Sequence, residues 1–240
     1  QKSMKGLCQL YGFVMNLFLL QGLQYTPKQT KYIKYLNEDN INLVISSGPA
    51  GTGKTWLACE YAIKKLKKNE VKKIIITRPL VTLEDEDIGF LPGNLQDKFG
   101  PFSQSVIEYF KNNYTLKDID RQIQLGILET TPLGFLRGRT FTDTIIIADE
   151  MQNSSPKQIL MLLTRLGSNS KLILTGDITQ CDLDQNKTTE NGLLKLNEKL
   201  DNYYTHYHEM LKDGIARVDF DLDDCQRSIF VKKIIQICDF

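Results

Sequence analysis

Eight consecutive residues, Gly48-Pro49-Ala50-Gly51-Thr52-Gly53-Lys54-Thr55, match G-x-x-x-x-G-K-[ST] in full. That pattern is built to hold phosphate. Its glycines let the backbone wrap a phosphate chain with N–H groups inward, where a Cβ would obstruct. Lys54 brings a point charge to the β and γ oxygens of a nucleoside triphosphate, and Thr55 offers its hydroxyl to Mg²⁺. A helix starting at this point adds its dipole. Trp56, the next residue, closes the stretch assigned to nucleotide contact. From average residue usage, a chance match in a chain of this length has odds on the order of 1%, so ATP with Mg²⁺ is the expected ligand.

The acid chemistry needs a second segment. Thr144-Ile-Ile-Ile-Ala-Asp149-Glu150 is an apolar run ending in two carboxylates. It reads as a strand that delivers them to the ligand-binding edge of an open α/β sheet. Asp149 is expected to hold the Mg²⁺ shell through water, and Glu150 to orient and deprotonate the attacking water. The next apolar run ends in Thr175-Gly176-Asp177-Ile178-Thr179-Gln180. Gln180 can touch both a γ-phosphate and the attacking water, although Gly and Asp at such a point also make an ordinary turn.

These residues need a scaffold of a particular kind. Ile41–Ser46, Lys73–Thr77, Thr144–Ala148 and Lys171–Thr175 are runs of β-branched residues and leucine, the pattern of parallel strands covered on both faces. Helical periodicity fills Thr55–Lys68 and Pro156–Leu166, with a weaker helix at Gln104–Phe110. Strand–helix alternation predicts an α/β fold with a mainly parallel sheet and helices on both faces. The Gly- and Pro-rich stretch from about 78 to 141 reads as an insertion between the second and third core strands. Beyond it, Gly192–Leu200 reads as a helix, Ile215–Phe220 as a strand and Cys225–Cys238 as a closing helix.

Composition excludes several classes. Lys+Arg of 30 against Asp+Glu of 29 leaves a net charge of +1, so any nucleic-acid surface must be a local patch. Five scattered cysteines with no C-x-x-C pair argue against a disulfide framework and a zinc site, and fit a reducing cytoplasm. His206 and His208 could put two ligands on one strand face, but no other cluster completes a metal site. The apolar run Leu10–Leu20 is too short to span a bilayer and is interrupted by Asn16. Residues 1–24 are therefore read as a packing segment and 25–240 as one ATPase domain, with no membrane partner expected.

The order and wording of further motifs carry a resemblance. Thr77-Arg78-Pro79, Gly89-Phe90-Leu91-Pro92-Gly93, Arg137-Gly138-Arg139-Thr140, Asp149-Glu150-Met151-Gln152-Asn153, Leu163-Thr-Arg165-Leu-Gly167 and Gly176-Asp-Ile-Thr-Gln180 follow the phosphate loop in sequence. Together they resemble the PhoH family of phosphate-starvation-inducible ATPases, from about Gln29 to the closing helix. The family core is similar to the first motor domain of superfamily 1 helicases, a P-loop NTPase fold of RecA-like type. The resemblance implies that Gln29 reads adenine, which would favour ATP over GTP. It implies that Thr77 and Arg78 meet a nucleic-acid backbone, that Gln180 senses the γ-phosphate, and that Gln152 couples nucleotide state to the insertion. It also places a family arginine at Arg227, although the family continuation Arg-His-Pro reads Arg-Ser-Ile here.

One phosphate loop with no second motor domain leaves the transition-state charge short of a positive group. A head-to-tail homo-oligomer such as a hexameric ring, with Arg227, Arg137 or Arg139 crossing the interface, would supply one. The expected partners are ATP and RNA or single-stranded DNA, and the expected activity is that of an ATP-driven helicase or remodeller. A nucleotide-gated switch with little hydrolysis and a small-molecule kinase are the competing classes. The run Lys64-Lys65-Leu-Lys67-Lys68 reads first as a solvated helix face. Phe90, Phe99, Phe102 and Phe135 read first as packing for the insertion rather than as base-stacking platforms.

Overall fold

A computed structural model describes residues 25–80, 106–178 and 190–228, with Phe230, Val231, Lys233 and Ile237 beyond them. The N-terminal packing segment, the motif Gly89–Gly93, Phe90, Phe99, Phe102 and Gln180 lie outside the described residues. Six strands form one sheet: β1 (Leu43–Ser47), β2 (Lys73–Arg78), β3 (Leu128–Pro132), β4 (Thr144–Ala148), β5 (Lys171–Gly176) and β6 (Ile215–Asp219). Their order is β3-β2-β4-β5-β1-β6, and every neighbouring pair is parallel.

β1, β4 and β5 are buried along their whole length, which is why their sequences run apolar without alternation. Successive residues serve opposite faces. Ile74, Ile76, Ile145 and Ile147 join one core with Leu57, Ala58 and Ala62 of helix α2 (Lys54–Lys67). Ile75, Ile146, Leu172 and Leu174 join the other with Ile159 and Leu162 of α4 (Pro156–Leu163) and Leu193 of α5 (Gly192–Tyr203). Helix α1 (Pro27–Asn37) adds Tyr32, Tyr35 and Leu36 to the first core. Its start is fixed by a capping box in which Thr26 and Gln29 exchange hydrogen bonds, with Pro27 pre-set for the first turn.

Three expectations need correction. The stretch 78–141 is not only an insertion, because it carries α3 (Leu116–Gln124) and the edge strand β3, which pairs with β2. Leu128-Glu-Thr-Thr-Pro132 reads as polar because an edge strand meets the core on one side only. Tyr207–Lys212 is a short helix, α6, with His206 at its N-cap, so the histidines do not share a strand face. Among the described residues no cluster of His, Cys, Asp or Glu suits a metal in the manner of a closed ligand site. Cys225 to Ser228 is non-helical, so a closing helix does not start at Cys225. Among the described residues, no helix is long and apolar enough to cross a membrane.

Candidate nucleotide site

The strand order β4-β5-β1 brings the loops that follow these three strands to one edge of the sheet. The phosphate loop leaves β1, Asp149 and Glu150 leave β4, and Asp177 leaves β5. The loop itself needs its glycines. Gly48, Gly51 and Gly53 stand at φ 134°, 83° and 88°. A Cβ on Gly48 would collide with the carbonyl of Phe220, and one on Gly51 would stand 2.6 Å from Arg227 Cγ. Gly53 is the N-cap of α2 and makes no side-chain cap, so the first amides of that helix remain free for an anion. The cleft of about 590 Å³ that opens beside the first glycine is lined by Asp177, Asp219, Asp221 and Asp223 and is too acidic to be the phosphate cradle, which is the backbone of the loop and the start of α2. The cradle fits the phosphates of a nucleotide.

Lys54 Nζ reaches back over the loop, donating to the carbonyls of Gly48 (2.5 Å) and Pro49 (2.8 Å). Burial lowers its pKa, against the opposing pull of Asp177, Asp149 and Glu150. Thr55 Oγ1 donates to Asp149 Oδ1 at 2.8 Å, and Thr175 Oγ1 donates to the same oxygen. A hydroxyl and a carboxylate in contact at the foot of a phosphate loop are the hard oxygen donors that Mg²⁺ prefers. Thr55 and Asp149 therefore suit the metal role expected of them. Thr175 went unrecognised in the sequence because a threonine at a strand end has no motif of its own.

Glu150 sits at φ 54°, ψ 40°. The other non-glycine residues at positive φ among those described are Asn69, Asp143 and Asn169, types that adopt this region readily. Glu150 is not such a type, and strain of this kind is concentrated at working sites. Burial raises its pKa, the neighbouring Asp149 charge adds to the rise, and Gln152, Arg78 and Lys54 oppose it. Gln152 Nε2 donates to Glu150 at 2.6 Å, while its Oε1 accepts from the Asp177 N–H at 3.0 Å. Gly176 makes room for this bridge, since a Cβ there would stand 2.7 Å from Gln152 Oε1. Tyr109, from the helical segment 106–110, also stands within electrostatic reach of Asp149, Glu150 and Arg227, and burial raises its pKa.

Other expected site residues are placed differently. Gln29 is 3% exposed, and its amide is engaged by the protein rather than turned toward a base. Trp56 is partly buried and packs against the α2-side core. Thr77 is fully buried and its carbonyl accepts from the Asp149 N–H at 2.8 Å, so only Arg78 of that pair offers a side chain to solvent. Arg227 lies over Gly51 of its own chain. Arg139 is bidentate to Glu129 at 2.6 and 2.8 Å, and Arg137 is exposed. Lys67 and Lys68 face solvent, with Asn113, Tyr114 and Glu70 as partners, while the Lys65 side chain is largely covered and pairs with Glu70 and Asp39. Phe135 is half exposed.

Comparison with known proteins gives a consistent picture. Residues 23–239 match the family profile described as PhoH-like protein. A PhoH-like protein of Bacillus subtilis is 39% identical over 214 residues, covering 89% of this chain and 63% of its own length. One from Synechocystis is 44% identical over 158 residues, covering 66% and 47%, and Protein PhoH of Escherichia coli is 35% identical over 209, covering 86% and 55%. The chain thus spans roughly half to two thirds of these relatives. Among solved structures, the Pif1 helicase from Candida albicans aligns at a TM-score of 0.39 and 16% identity, over 83% of this chain and 40% of that one.

Proposed function

The chain belongs to the PhoH-like family, and from that premise we propose that it binds MgATP at Gly48–Thr55 and hydrolyses it. The observation that carries this reading is the convergence of Lys54, Thr55, Asp149 and Glu150 at one sheet edge. Thr55 and Asp149 would hold Mg²⁺, which when bound neutralises charge on the β and γ oxygens. Lys54 and the loop amides bind and orient the triphosphate. Glu150, whose raised pKa brings it nearer to neutral pH, takes a proton from the attacking water. Gln180 would sense the γ-phosphate at the end of the Asp177 segment.

The work driven by hydrolysis is read as remodelling of RNA or single-stranded nucleic acid in the cytoplasm. Arg78, exposed beside β4 and charge-coupled to Glu150, supports a link between a bound phosphate backbone and the water-activating group. Purified protein assayed for phosphate release with and without single-stranded RNA and DNA tests the proposal. Release stimulated by nucleic acid is the expected result. Binding without release would favour a nucleotide-gated switch, and transfer only to a small acceptor would favour a kinase.

A further inference from the structure

The amide of Gln29 has two N–H donors and one carbonyl acceptor. Nε2 donates to the Thr52 carbonyl at 3.0 Å and to the Asp224 carbonyl at 3.3 Å, and Oε1 accepts from the Thr26 N–H at 3.1 Å. Adenine's edge needs a donor from this amide, and both of its donors are already spent inside the protein. The side chain is also 3% exposed, so its remaining lone pair does not face a ligand.

The contact to Thr52 is one of a set. Gln226 N–H donates to the Gly51 carbonyl at 2.9 Å, and the Cys225 thiol stands 3.6 Å from the Ala50 carbonyl. Three successive carbonyls of the phosphate loop thus point at Gln29 and at the strap that follows β6. In a planar trans peptide the carbonyl of one residue and the N–H of the next point in opposite directions. Holding the carbonyls of Ala50, Gly51 and Thr52 outward therefore aims the N–H groups of Gly51, Thr52 and Gly53 inward, the arrangement an anion needs. The strap is tied to α1 as well, by Thr26 Oγ1 on Asp224 and Lys28 on Asp221 at 2.5 Å. Segments almost 200 residues apart in sequence meet on the outer side of the loop.

We propose that Gln29 is a positioning residue for the phosphate loop, latching it to the Asp221–Arg227 strap, and that its side chain does not choose between adenine and guanine. This rests on the nucleotide-binding reading above, so the test has an arm that needs no nucleotide. In Gln29→Met, hydrogen exchange of the Gln226 amide, which donates to the Gly51 carbonyl, rises about tenfold in the nucleotide-free protein as the loop loosens from the strap, the scale of one lost hydrogen bond. By competition with a fluorescent nucleotide, Kd for MgATP and MgGTP rises by a common factor of about ten, leaving their ratio as in the wild type. Both readouts report on folded molecules, so partial loss of folding does not imitate the result. A loss confined to ATP overturns the proposal, as does unchanged exchange. Wild-type protein that binds neither nucleotide would sink the ATPase reading, while the exchange arm would still decide the latch.

Discussion

Glu150 and Asp177 are joined through a single side chain: the Gln152 amide donates to the Glu150 carboxylate and accepts from the Asp177 N–H. The group assigned to water activation is thereby tied to the segment that leaves β5 toward Gln180. A shift of that segment pulls on Gln152 and so on Glu150.

Glu150→Gln is expected to lower kcat by about 10² to 10⁴ while leaving KM for ATP nearly unchanged, since it removes a transition-state role. Gln152→Leu makes a smaller loss, about tenfold, with a distinctive signature in pH. The bond from Gln152 lowers the pKa of Glu150. Removing it lets that pKa rise further, so a larger fraction of the base is protonated at a given pH. The acidic limb of the kcat profile should move to higher pH; a limb that stays in place would remove Gln152 from this role.

Thr175→Val tests the metal side of the site. Two hydroxyls, Thr55 and Thr175, donate to one oxygen of Asp149 and hold the carboxylate still. With one gone, Asp149 is free to turn and the loss falls on metal affinity. The Mg²⁺ concentration for half-maximal activity should rise several-fold, about 1 kcal/mol for one hydrogen bond to a charged group in a part-buried setting. Titration of activity against Mg²⁺ at saturating ATP reads this directly.

Much of this was legible in the sequence because the relevant signals are local. Thr144–Ala148 is a strand as read, since five buried residues in a row need an unbroken apolar run. The phosphate loop announces itself through glycines whose φ values admit little else. What stayed hidden is non-local or polar. β3 carries Glu129, Thr130 and Thr131, and only its pairing with β2 makes it a strand. The use of Gln29 depends on Asp224, 195 positions away, and no spacing rule connects them. Thr175 becomes a site residue only when β4 and β5 lie side by side.

The edge strand supplies a prediction for acid stability. Glu129 is held by Arg139 in a bidentate pair and by Lys73 at 2.7 Å, and these hydrogen bonds bring its pKa down to about 2. A depressed carboxylate stabilises the fold above its unfolded pKa and loses that contribution as pH falls through the folded value. The full shift would correspond to about 3 kcal/mol, and part-exposed partners reduce this to about 1–2 kcal/mol. Urea unfolding at pH 6 and pH 3 should show the larger part of that loss in the wild type, since the remainder disappears only below the folded pKa of about 2. In Arg139→Met the dependence across this window should be shallower.

The last prediction concerns how the γ-phosphate charge is met. Of the three arginines expected at a subunit interface, Arg227 lies on its own loop and Arg139 is spent on Glu129. Arg137 is exposed and has no ion-pair partner among the described residues, on the segment that follows β3 at the ligand-binding edge. A head-to-tail assembly would present it to a neighbour's nucleotide. Arg137→Ala and Lys54→Ala should then each be inactive alone, the first lacking the neighbour's cation and the second its own phosphate contact. Mixed in equal amounts and allowed to exchange subunits, they should recover about a quarter of wild-type ATPase activity. That is the share of all sites that lie on an Arg137→Ala chain and have an intact Arg137 beside them, if assembly is random and heterologous. No recovery in a mixture shown to co-assemble, or full activity of Arg137→Ala alone, would show that the charge is met within one chain.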